Sequence, residues 1–76
     1  MKLTMKYTVV LLRDPDGGFV ATVPALPGCV SQGETRSESL DNIKEAIELY
    51  LEDVQAAGEA LPVEESLEYV EVTHGS

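Results

Sequence analysis

Val23-Pro24-Ala25-Leu26-Pro27-Gly28-Cys29-Val30-Ser31-Gln32-Gly33-Glu34-Thr35 joins a strand-like hairpin to the one long helical pattern of the chain. Two prolines and two glycines bracket a short apolar run, so the backbone is steered along a set path. Pro24 and Pro27 fix φ and restrict Val23 and Leu26, while Gly28 and Gly33 can take positive φ that other residues resist. The stretch predicts a bend, a short strand over 28–32 and delivery of Thr35 to the start of a helix.

Upstream, Thr4 to Arg13 is rich in β-branched and apolar residues. Met5, Tyr7, Val9 and Leu11 fall on one side of a strand over 4–13, and Lys6, Thr8, Val10 and Leu12 on the other. Asp14-Pro15-Asp16-Gly17-Gly18 carries the residues of a tight turn, and a second strand over 18–23 follows. The three strands make an antiparallel meander.

Downstream, Thr35-Arg36-Ser37-Glu38 fits a capping box, with a hydroxyl at the N-cap and a Glu three positions on. Leu40, Ile43, Ile47, Tyr50, Leu51 and Val54 recur at spacings of three and four, which makes one apolar stripe on a helix over 36–57. Gly58 can close that helix in a left-handed conformation. Leu61 to Glu65 reads as a connector, 67–72 as a last strand, and His74-Gly75-Ser76 as a frayed tail. The expected architecture is one α+β domain over 1–76, β-β-β-α-β, a four-stranded mixed sheet with one helix packed on one face. The last strand is expected beside the first, leaving an opposite sheet face with Val10 and Leu12 uncovered.

A chain of 76 residues buries only about 60% of its unfolded surface, so association with itself or a partner is expected. One cysteine, Cys29, rules out an internal disulfide framework, and no Cys/His cluster has the spacing of a zinc site. No apolar run reaches a membrane span, and the first residues lack the apolar core of a secretory signal, so a cytoplasmic location is expected. The formal net charge is -9, which argues against a nucleic-acid surface, whose affinity comes from Lys and Arg on phosphates. Met1–Arg36 carry four basic residues against three acidic, and Ser37–Ser76 one basic against eleven acidic. A basic protein partner suits the second half.

Groups that could carry chemistry are few. His74 lies two residues from the end of the sequence, where nothing holds it for acid–base work. Cys29 has no histidine nearby in sequence and reads as a small buried residue. Asp14 and Asp16 could share a divalent ion, but beside Pro15 and Gly17-Gly18 they read as turn residues. No catalytic residue, metal site or cofactor is expected.

The helix is more telling. Glu38, Asp41, Glu45, Glu48, Glu52 and Asp53 lie opposite the apolar stripe, which by itself describes a solvated face. Asp41/Glu45 and Glu48/Glu52, however, are like-charge pairs four apart, each costing about 0.2–0.5 kcal/mol, with Lys44 alone to offset them. Glu48, Glu52 and Asp53 also sit toward the helix C-terminus, where the macrodipole disfavours anions. A surface held at that cost suits steering of a basic partner.

With these residues in view, the chain resembles the HicB family of antitoxins. The likeness runs through Tyr7-Thr8-Val9-Val10-Leu11-Leu12, Gly18-Phe19-Val20-Ala21-Thr22-Val23-Pro24, and Leu26 to Thr35. It continues into the helix over Ser39-Leu40-Asp41-Asn42-Ile43-Lys44-Glu45-Ala46-Ile47. It implies a domain like a partial ribonuclease H fold, without nuclease activity, since Thr4 to Leu12 contains no acidic residue where the true enzymes begin their carboxylate set. It also implies a partner: in the family this domain masks HicA, a small basic toxin that cleaves messenger RNA using a histidine. Many members add a C-terminal helix-turn-helix or ribbon-helix-helix, and this chain is expected to be a short, single-domain member without one.

The expected function is therefore an antitoxin-like binding module, homo-oligomeric as a dimer or tetramer. Its expected contact residues are Leu26, Pro27 and Gly28 at the bend and Asp41, Glu45, Glu48 and Glu52 on the helix. The alternative is a stand-alone oligomeric regulator or small-ligand binder of the same fold.

Overall fold

Three strands and one helix form in the order the sequence predicts: β1 (Val10–Arg13), β2 (Phe19–Thr22), β3 (Val30–Gly33) and α1 (Arg36–Ala56). They are seen in a computed structural model that describes residues 4–75. Lys2, counted above among the basic residues, and Ser76, at the end of the expected tail, lie outside the described residues.

The sheet is antiparallel in the order β1-β2-β3. Val10 stands opposite Thr22 and Arg13 opposite Phe19, and in the second pair Phe19 stands opposite Gly33 and Thr22 opposite Val30. The Arg13 guanidinium lies 5.0 Å from the centre of the Phe19 ring, across the first pair, within cation–π range. In the connecting turn the Asp14 carboxylate accepts from the Asp16 N–H at 2.9 Å, the Asx geometry that favours Asp there.

Two strands are shorter than expected, for local reasons. The register that pairs Val10 with Thr22 carries Val9 to Val23 and Thr8 to Pro24. The Val23 N–H is already donated to the Cys29 carbonyl at 3.2 Å, and proline has no N–H to give. Residues 4–9 therefore stay outside the ladder. β3 begins at Val30 rather than Gly28 because Gly28 and Cys29 complete a turn.

The helix begins where the capping residues place it. Thr35 is extended (φ -118°, ψ 162°), and its hydroxyl accepts from the Glu38 N–H at 3.0 Å. The reciprocal half of the box is displaced by one residue: the Glu38 carboxylate accepts from Glu34 N–H, at 3.0 Å. At the far end the Gly58 N–H donates to the Gln55 carbonyl and the Glu59 N–H to the Val54 carbonyl. With Gly58 at φ 74° this is a Schellman motif, the left-handed closure read from the glycine.

α1 packs on β3 and β2, and Asn42 ties them by donating to the Gln32 carbonyl at 2.8 Å. The core consists of Ala21, Val23, Leu26, Cys29 and Ile43, with Tyr7, Val9, Leu11, Ile47, Tyr50 and Leu51 packed around it. Ser39 is buried among them, its hydroxyl donating to the Arg36 carbonyl at 2.8 Å.

The expected strand over 67–72 is not formed: these residues carry no regular structure and are exposed. The sheet among the described residues is thus three-stranded and antiparallel, without the parallel fourth strand that the likeness to a partial ribonuclease H fold implies. The chain does return toward its first segment. The Tyr7 hydroxyl donates to the Pro62 carbonyl, and Glu64 receives the Thr8 N–H at 2.6 Å and the Thr8 hydroxyl at 2.7 Å. A side-chain carboxylate thereby occupies a backbone donor that a neighbouring strand would use.

Candidate functional site

The bend is two consecutive turns. The Leu26 N–H donates to the Val23 carbonyl and the Cys29 N–H to the Leu26 carbonyl, both at 3.0 Å. The second has proline then glycine at its centre, with Gly28 at φ 83°, which is a type II turn. These bonds roll Leu26 inward to 0% exposure and leave Pro27 and Gly28 at the surface. Of the three bend residues expected to meet a partner, Leu26 is corrected to a core residue: its side chain fills the space between sheet and helix.

Asp41, Glu45, Glu48 and Glu52 are all exposed, as their spacing opposite the stripe requires. They run as one row along the outside of α1, and the last helical turn carries no basic residue. The structure brings the bend and the helix together through other side chains. A shallow depression of about 260 Å³ lies between Gly28 and Val30 on one side and Leu49, Tyr50 and Asp53 on the other. Leu49 and Val30 are both exposed there. Sequence reading passed over Leu49, an apolar residue of the helix that lies off its stripe.

A second concavity, about 810 Å³, opens between residues 5–9 and the near side of α1. Met5, Tyr7 and Val9 face Leu40, Ile47 and Leu51 across it, with Lys6, Lys44 and Glu48 at its rim. The sequence offered no signal for it, because it depends on where residues 5–9 lie once they leave the ladder.

Burial raises the Cys29 thiol above its ordinary value, which keeps it protonated, and His74 is exposed in the tail. Among the described residues no three His, Cys, Asp or Glu side chains are placed to hold a metal ion. Every buried side-chain polar atom described has a hydrogen-bond partner. No described helix is long and apolar enough to cross a membrane.

The one strongly directed carboxylate is Glu64. The Thr8 hydroxyl, then the Thr8 backbone N–H, lower its pKa from the ordinary 4.5, against a smaller opposing effect of burial. Burial, then the Glu64 charge, raise the Tyr7 phenol, so its O–H remains a donor at neutral pH. A depressed carboxylate pKa favours the docked form at pH above the ordinary value, and that preference is lost as pH falls through the depressed one. Titrating the Thr8 amide resonance should therefore show release of residues 62–64 with a midpoint below 4.5. Glu64→Gln should abolish that transition; a midpoint above the ordinary value would contradict the geometry.

The fold and surface together define a class: a small α+β domain that shows an acidic helix row beside a Pro/Gly bend. Within it the chain belongs to a known family, because the sequence model for HicB-like antitoxins of bacterial toxin–antitoxin systems matches residues 7–75. A UPF0150 protein of Thermoplasma acidophilum is 53% identical over 58 residues, covering 76% of this chain and 84% of that protein. A UPF0150 protein of Synechocystis is 47% identical over 64 residues, covering 84% and 81% respectively. A Haemophilus phage HP1 protein is 39% identical over 64 residues, 84% of this chain but 47% of that protein. Family membership supports an antitoxin role.

Proposed function

We propose that the chain is a cytoplasmic, homo-oligomeric, non-enzymatic antitoxin that neutralises a small basic HicA-type toxin by covering its messenger-RNA-cleaving site. The observation that carries this reading is the exposed row Asp41, Glu45, Glu48 and Glu52, held against like-charge repulsion on a helix with no basic residue in its last turn. Leu49, one helical turn from Glu45 and from Glu52, lines a depression with Val30, Gly28 and Asp53, so an apolar contact lies beside the charged row, as in an interface with an apolar centre and a polar rim. A basic, RNA-binding active site is the complementary surface. Pro27 and Gly28 lie at the edge of the same patch, and the carboxylates stand in for the phosphates that the toxin otherwise engages.

Titration of the purified chain into a HicA-type toxin, followed by calorimetry and RNA cleavage, tests the proposal. Binding should weaken with salt and cleavage should stop at saturation. Neutralising all four carboxylates (Asp41→Asn, Glu45→Gln, Glu48→Gln, Glu52→Gln) should lower affinity at least tenfold, mostly through association. The same variant should fold slightly more stably, since each relieved pair returns about 0.2–0.5 kcal/mol. No complex at low ionic strength, or unchanged affinity of the neutralised variant, would reject the reading.

A further inference from the structure

Among the described residues, two parts of this chain each lack a neighbour. β1 is an edge strand, paired with β2 on one side only. Its outward residues Val10 and Leu12 are 38% and 58% exposed, and on the helix side the groove beyond Val9 stands open. Such an edge is a template for another strand.

The second part is the segment after Glu64. Leu67, Tyr69, Val70 and Val72 are between 54% and 89% exposed, although their composition is that of a strand. Glu64 is fixed beside Thr8 by two hydrogen bonds, and beyond it the segment leaves the body. The described residues accordingly extend 51 Å in one direction against 28 and 20 Å in the others. An apolar strand sequence and an apolar edge are thus tethered in one molecule without meeting.

We propose that residues 67–72 pair with the β1 edge of a second copy, and that the exchange is reciprocal, closing a two-fold dimer. A single rotation axis satisfies both unpaired elements in both copies at once. Charge agrees: Lys6 and Arg13 flank the edge, and Glu65, Glu68 and Glu71 punctuate the segment. So does the mixed alternation. In a strand Leu67 and Tyr69 point one way and Val70 and Val72 the other, and the β1 edge offers apolar surface both ways, the groove on one face and Val10 and Leu12 on the other. Burying a large aliphatic side chain removes on the order of 100 Å² from water. Four such side chains per copy, with matching area on the receiving edges, bring the total to roughly 1,600 Å², the size of a stable interface. The inference rests on and specifies the homo-oligomeric part of the proposed function; toxin binding is tested separately, because the acidic row and the β1 edge are different surfaces.

Sedimentation velocity on the full chain at tens of micromolar should give a dimer. The Leu67→Asp, Val70→Asp double variant should sediment at half that mass with its helical circular dichroism intact, since neither residue touches the core. In wild-type protein mixed from two isotope labellings, nuclear Overhauser contacts from Tyr69 to the β1 residues should appear between differently labelled copies; this readout stands even if the variant fails to fold. A monomeric wild type, a dimer that survives the double substitution, or contacts from Tyr69 to β1 found only within one copy would overturn the proposal.

Discussion

Leu26→Ala should destabilise the domain by about 2–5 kcal/mol, the usual cost of truncating a buried leucine. Leu26 is fully buried beside Val23, Cys29 and Ile43, and its backbone is held on both sides by turn hydrogen bonds at 3.0 Å. Backbone pinned this way cannot collapse into the cavity, which places the cost toward the upper part of that range. At about 0.05–0.15 kcal/mol per residue, the total for 76 residues is only about 4–11 kcal/mol. One side chain at the bend thus carries a large share of the folding free energy. Urea denaturation should show a lowered midpoint with an unchanged slope. Pro27→Ala, at an exposed neighbour, should cost no more than about 1 kcal/mol through the unfolded chain. A loss below 1 kcal/mol for Leu26→Ala would mean that the side chain is not the core anchor described.

Gly33→Ala is the second large effect, and its cause is space. A Cβ at Gly33 would lie 2.5 Å from the Ser39 N and 2.9 Å from the Glu38 carbonyl carbon and the Ser39 Cα. These are backbone atoms of the first helical turn, so no side chain can swing aside to relieve the contact. Either the clash is borne, at about 1–3 kcal/mol for overpacking, or β3 moves away from α1. Moving it strains the Thr35 cap and the Asn42–Gln32 bond, and a lost cap costs about 1 kcal/mol. By either route the loss is about 1–3 kcal/mol, which corresponds to a fall in melting temperature of roughly 4–24 °C for a domain of this size. Gly28→Ala is the contrast: nothing lies within 4 Å of its added Cβ, and the cost arises from φ at 83°, about 1–2 kcal/mol. Thermal melts followed by circular dichroism separate the two, and Gly33→Ala melting within a few degrees of wild type would show that the strand–helix contact is looser than the distances state.

Both predictions fall in the thirteen residues 23–35 with which the sequence was entered, and they change what that stretch means. As sequence it looks like a bend with one apolar residue, Leu26, available to a partner. As structure it is an anchor: Leu26 is core and the second glycine is a point where sheet and helix touch, while Thr35 holds the helix start as its sequence foretells. In the proposed function, contact with a partner falls to Pro27 and Gly28 and to the acidic row of the helix. Leu49, which the helical stripe left out, lies near Gly28 and Val30 because α1 runs along the bend.

The sequence by itself determined whatever depends on neighbours a few residues apart. The turn at 14–18, the Pro/Gly bend before β3, the N-cap at Thr35, the helix with its glycine closure, and the acidic row all follow from local dihedral preference, local hydrogen bonding or a period of 3.6. Only the tertiary structure decided that residues 4–9 leave the ladder, that the turns at 23–29 carry Leu26 into the core, that Gly33 meets Ser39 and that residues 67–72 stay unpaired within the chain. These rest on which donor or volume is already taken: Cys29 holding the Val23 N–H, sheet and helix enclosing Leu26, the first helical turn filling the space above Gly33, Glu64 holding the Thr8 N–H. That occupancy is a property of the packed chain, and no local pattern encodes it.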